Sequence, residues 1–95
     1  MITITAKSTV KPEKKEAFLI LAEKLVKESR KEKGCLSYCL YEDINHPGKF
    51  IIIEEWKDKR AIQSHNTSKH FTEIVPEMSK LREGKPEVDL YKSIF

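Results

Sequence analysis

Residues 2 to 9, ITITAKST, alternate apolar and polar side chains, the two-residue period of a half-buried strand. The period then lengthens. From Pro12 to Glu32 the apolar residues Phe18, Leu21, Ala22, Leu25 and Val26 recur at helical spacing and form one stripe, with Ile20 turned the opposite way. Pro12 suits a first helical position and Glu13 complements the helix dipole there, while Gly34 is a natural C-terminal stop. Strand patterns return over residues 35 to 42 and 49 to 57. Between them, Asn45-His46-Pro47-Gly48 predicts a turn, because proline presets one central dihedral and glycine accepts a positive one. The two strands should therefore pair as an antiparallel hairpin. Asp58 can cap a short helix over residues 59 to 65, and Thr67 or Ser68 can cap another. Phe71, Ile74, Val75, Met78 and Leu81 continue a helical stripe that Pro76 should kink or divide. Gly84 and Pro86 close the helical region before a last strand over residues 88 to 93.

The resulting order, β-α-β-β-α-β, predicts a single ferredoxin-like α+β domain over residues 1 to 95 with an antiparallel sheet. Helices in that arrangement cover one sheet face only. The third strand is nonetheless apolar on both faces, with Phe50, Ile52 and Trp56 on one and Ile51 and Ile53 on the other. The second is similar, Leu36, Tyr38 and Leu40 opposing Cys35, Cys39 and Tyr41. A chain of 95 residues has nothing left to cover the second face, which predicts a homodimer packed through it.

Charge narrows the class further. The net charge of +3 arises from lysines spread along helices, and the densest basic stretch, Lys11 to Lys33, is interrupted by Glu13, Glu16, Glu23, Glu28 and Glu32. Such a mixture reads as a solvated helix face and argues against nucleic-acid binding. No run approaches the 18 apolar residues of a membrane span, and no signal-peptide pattern precedes the first strand, so a cytoplasmic protein is expected. Cys35 and Cys39 would share a strand face but stand roughly 13 Å apart, too far for a disulfide. They read as reduced thiols.

The polar groups nearest apolar surface lie between Phe50 and Phe71. Glu54 is carried between Ile52 and Trp56, as a general base, an orienter of His65, or a structural carboxylate; Glu55 faces the other way. His65 has a pKa suited to taking a proton near neutrality, and could equally be a packing residue at a helix end. His70 follows at a spacing that sets two side chains about 140° apart on one continuous helix. That spacing, with no third ligand in view, predicts no metal site. His46 lies in the turn and should be exposed. Trp56, Tyr38 and Phe71 offer flat apolar surface for a planar ring.

Gly34-Cys35-Leu36 with Tyr38, the Glu54-x-Trp56 strand end, Arg60-Ala61-Ile62 leading to His65, and Ser68-x-His70-Phe71 together resemble the antibiotic biosynthesis monooxygenase (ABM) family of small dimeric α+β barrels. The resemblance implies a dimer, a substrate pocket between helices and sheet, no bound cofactor, and oxidation of a small aromatic quinol or phenol by dioxygen. On that reading His65 is the candidate base, Glu54 its partner, and Trp56, Tyr38, His70 and Phe71 the residues around the substrate. The haem-degrading branch carries an asparagine on the first strand and a tryptophan at the position of His65. This chain offers Thr3, Thr5 and Lys7 on that strand, so haem degradation is not expected. Two other functions fit the same residues. One is an isomerase or lyase acting on a small oxygenated metabolite, phosphorylated if Lys57, Lys59, Arg60 and Lys69 cluster near the pocket. The other is a ligand-binding stress-response module without turnover.

Overall fold

In the computed structural model, which describes residues 1 to 95, the elements follow the expected order. β1 (Ile2–Thr9) leads through one 3-10 turn (Pro12–Lys14) into α1 (Lys15–Arg30). β2 (Cys35–Glu42) and β3 (Lys49–Trp56) form the hairpin, and α2 (Lys59–Asn66) and α3 (Lys69–Ser79) precede β4 (Glu87–Lys92). The sheet runs β2-β3-β1-β4 with every neighbouring pair antiparallel, the ferredoxin-like arrangement. None of the helices is long and apolar enough to cross a membrane.

Directly opposed residues of antiparallel strands share a face, so the register defines the core side. Tyr38, Glu54 and Ile4 form one row across β2, β3 and β1, and Leu40, Ile52 and Ala6 form the next. Against these rows α1 buries Phe18, Ala22 and Leu25, and α3 buries Ile74 and Met78. Phe18 meets Phe50 with ring centroids 5.1 Å apart. Each of the larger of these side chains, fully buried, contributes about 1.5–3 kcal/mol, which makes this layer the main source of stability. The opposite sheet face carries no helix; Ile51 and Ile53 are only half-buried there. β4 is exposed along its whole length, including Val88 and Leu90, because the helices stop short of it.

Several local expectations change. Two residues of β2, Cys35 and Leu36, oppose a single step of β3 at a bulge before Ser37. The bulge puts Cys35 beside Trp56 on the core side and leaves Cys39 opposite Ile53 on the open side. The two thiols therefore do not share a face, and Leu36 is exposed rather than aligned with Tyr38. α1 ends at Arg30, so Glu32 belongs to the turn that follows and not to the helix. Pro76 does not divide α3, which runs through it. The carbonyl that loses its partner belongs to exposed Thr72, where solvent can replace the bond.

Gly34 terminates nothing by a left-handed dihedral; its φ is not positive. A Cβ there would overlap the Cβ of Ala61. Gly34 is thus a close-approach glycine that lets the α1–β2 turn lie against α2. Lys57 N–H donates to the Gly34 carbonyl at 2.9 Å and fixes the same contact. Gly48, by contrast, is needed for its dihedral: φ is +91°, and a Cβ would stand 2.6 Å from the Val10 carbonyl oxygen. Its own carbonyl accepts from Val10 N–H at 2.8 Å, tying the hairpin turn to the end of β1. Gly48→Ala should lower unfolding free energy by about 2 kcal/mol or more, read as a reduced urea midpoint at unchanged slope.

Candidate functional site

The site is assembled where the C-terminal end of β3, the α2–α3 corner and the α1–β2 turn meet. Asp58 opens α2 by accepting from Ala61 N–H at 2.9 Å, and α2 carries His65 to its last turn. Ser68 then resets the chain. Its hydroxyl donates to the His65 carbonyl at 2.6 Å and accepts from Phe71 N–H at 3.3 Å, so one side chain closes α2 and starts α3. His65 and His70 consequently sit on two helices. The divergence of about 140° holds only for one continuous helix, and here the ring centroids approach to 5.9 Å. The break at Ser68, the expected second cap, removes that geometric objection and lets the pair face a common point.

What both imidazoles face is Glu32. Its Oε2 lies 2.5 Å from His65 Nδ1 and 2.7 Å from His70 Nε2. An ionised carboxylate only accepts, so both ring nitrogens act as N–H donors. That assigns the Nδ1–H tautomer to neutral His65 and leaves its Nε2 as an acceptor on the other edge of the ring. His65 is 1% exposed, and this Nε2 is buried without a hydrogen-bond partner. Burial holds the imidazole pKa below its ordinary value, outweighing the opposing pull of Glu32. Around the ring stand Trp56, Phe71 and Tyr38, at centroid distances of 4.5, 5.0 and 5.6 Å. The three aromatic residues expected to form a pocket wall do converge, but the space between them is filled by His65 itself.

Glu54 occupies a different environment. It is 6% exposed, opposite Tyr38 and Ile4 in the sheet, and it accepts from Trp56 Nε1 at 2.7 Å. The expected pairing of Glu54 with His65 is therefore not what forms. Trp56, two residues on along the same face of β3, turns its indole back to the Glu54 carboxylate, while His65 presents Nδ1 to the α1–β2 turn. Burial raises the Glu54 pKa to about 7, partly offset by the indole bond and reinforced by the negative charge of Glu32. Glu55 points to the open face and accepts from Ser37 Oγ at 2.8 Å. His46 is exposed beside Asp43, with 3.3 Å between Nδ1 and Oδ2.

The profile of the antibiotic biosynthesis monooxygenase family (ABM) matches residues 1–77. The chain belongs to that family. It is 41% identical to YcnE of Bacillus subtilis, which carries the name of a candidate monooxygenase, over 85% of each chain. An uncharacterized Synechocystis protein, sll1783, is 34% identical over 96% of this chain, which spans 62% of that protein's length. The crystal structure of a conserved protein from Methanosarcina mazei superposes with a TM-score of 0.95 at 36% identity, covering 98% of this chain and 92% of the other.

Within this ABM domain the residue missed by sequence reasoning is Glu32. It lies in the run KESRKEKG, where it looks like one more solvated charge, and it meets its partners across 33 and 38 residues of chain. The hairpin could have exposed it. Antiparallel pairing of β2 with β3 sets Gly34 beside Lys57, and so brings the preceding turn to the start of α2.

The Glu54 carboxyl supplies a prediction. A folded-state pKa of about 7 against an unfolded value near 4.5 stabilises the fold fully below the lower value and loses that stabilisation as pH rises towards 7. The span is on the order of 3 kcal/mol. Glu54→Gln keeps an acceptor for Trp56 without the charge. Relative to wild type it should gain stability at pH 8 and lose most of that gain at pH 4.5, measured by urea unfolding at both values.

Proposed function

We propose that this ABM domain is a monooxygenase that oxidises a small phenol or quinol with dioxygen, His65 being the base that takes the hydroxyl proton. The observation that carries the reading is the buried, unpartnered Nε2 of His65, held as an acceptor because Glu32 engages Nδ1. Removing the phenolic proton leaves an electron-rich ring that can reduce dioxygen directly. One oxygen atom ends on a ring carbon as a quinone carbonyl and the other leaves as water, with the substrate supplying all four electrons. Such a base contributes typically 10²–10⁴-fold. Glu32 takes the partner role first expected of Glu54. Glu54, protonated below about pH 7, is a candidate hydrogen-bond donor to substrate oxygen. Trp56, Tyr38 and Phe71 supply ring faces, and His70 steadies Glu32.

The packed state of the aromatic cage favours a second reading. The protomer's two principal hollows lie elsewhere, one of about 650 Å³ among Lys7, Tyr41, Lys49 and Lys85 and one over Leu19 and Ile20. Nε2 is buried, so a substrate reaching it requires the cage to open locally, and a domain that opens only to hold a ligand would bind without turnover. Oxygen-electrode measurements across a panel of phenols and quinols separate these. The oxygenase reading expects dioxygen uptake that falls about 100-fold or more in His65→Ala and less in Glu32→Gln. Full activity in His65→Ala sinks it. Turnover that persists without oxygen points to an isomerase or lyase, and saturable binding with no turnover to the binding module.

We also propose that the working form is a cytoplasmic homodimer packed through the helix-free sheet face, as in the barrel the family resemblance implies. The half-buried Ile51 and Ile53 and the exposed Tyr91 support this, since all three project from that face. Light scattering should return twice the 11.1 kDa chain mass, and Ile53→Lys should return the single mass. A wild-type monomer at micromolar concentration removes the claim.

A further inference from the structure

We propose that Glu32, His65 and His70 form a binding site for a divalent transition-metal ion of the zinc type, and that its occupancy moves the proton of His65 from Nδ1 to Nε2. The three side chains come from the α1–β2 turn, the last turn of α2 and the first turn of α3, yet their ligand atoms all lie within 4.8 Å of one another. Two imidazole nitrogens with one carboxylate oxygen suit zinc, cobalt, nickel or copper. They do not suit magnesium or calcium, which take oxygen shells.

Metal–ligand bonds of about 2.0–2.2 Å put the donors of a tetrahedral shell about 3.4 Å apart. The present separations of 2.5 and 2.7 Å from Glu32 Oε2 must each open by less than about 1 Å, and the two imidazole nitrogens, no more than 4.8 Å apart, must settle at the same spacing through movement of the His70 ring. Glu32 can supply the opening of its own two contacts because it sits on a turn and its side chain is 15% exposed. The imidazole of His65 is fixed by Trp56, Tyr38 and Phe71, and that of His70 lies near the surface at 16% exposure. A rigid buried ligand with two ligands at the rim gives an ion an entry route and leaves one coordination position open.

The ion would replace the two N–H protons that now converge on Oε2. Neutral His65 has a single ring proton, which passes from Nδ1 to Nε2 as Nδ1 takes the ion, changing Nε2 from acceptor to donor. Metal binding itself stands apart from the oxygenase reading. The consequence that the ion silences the base rests on that reading.

The test uses the full chain without substrate. Zinc chloride is titrated calorimetrically while long-range ¹H–¹⁵N spectra follow each histidine. The expected result is one ion per chain, with the His65 tautomer switching to Nε2–H and His46 unmoved. His70→Ala and Glu32→Gln should each weaken binding by about 100-fold or more, and His46→Ala should leave it unchanged. No saturable binding below millimolar zinc overturns the proposal, as does binding that leaves the His65 and His70 signals in place. The wild-type spectra decide the matter even if a variant fails to fold.

Discussion

The absence of a side chain at Gly34 governs how the rest of the site is arranged. A methyl group there would overlap Ala61, so the α1–β2 turn could not rest on α2. With the turn held off, Glu32 would lose His65 and His70, and two ring N–H groups at the edge of the core would lose their shared acceptor. A van der Waals contact thus sets an electrostatic arrangement. The steric requirement comes first in the causal order, and the charge pairing follows from it.

The two carboxylates near His65 illustrate how environment separates chemically identical groups. Glu32 reaches the surface and receives two imidazole N–H donors. Glu54 is enclosed by the sheet and receives one indole donor, so burial prevails and its acid form persists towards neutrality. Their mutual repulsion sharpens the difference, since the charge on Glu32 discourages a second charge on Glu54. Acid–base chemistry needs groups poised on opposite sides of the proton, and the arrangement of His65 and Glu54 offers one acceptor and one potential donor.

Much of the architecture could be read in advance because it depends on periodicity. The alternation of ITITAKST, the stripe from Phe18 to Val26 and the Asn45–Gly48 turn each specify an element locally, and antiparallel pairing orders them. The aromatic neighbours of His65 were legible for the same reason, since Tyr38 and Trp56 fall on core-facing strand positions. What escaped depends on single-residue events. A bulge shifted Cys35 to the core side, and a charge in a run of charges proved to be the partner of two histidines. Neither of these alters the local hydrophobic pattern. Each instead depends on which segments meet after folding, and on that the pattern is silent.

The uncovered last strand has a consequence for how the molecule breathes. β4 is joined to the body only through its ladder with β1, and no helix packs over Val88 or Leu90. Opening it exposes little apolar surface that was not already exposed, so its detachment costs far less than unfolding the layer built on Phe18 and Trp56. An isolated protomer is therefore expected to open as two cooperative units of unequal strength. A tightly cooperative body carries the histidines, while a loosely held edge gives up its amide protons first, leaving the β1 edge free to accept a strand from elsewhere.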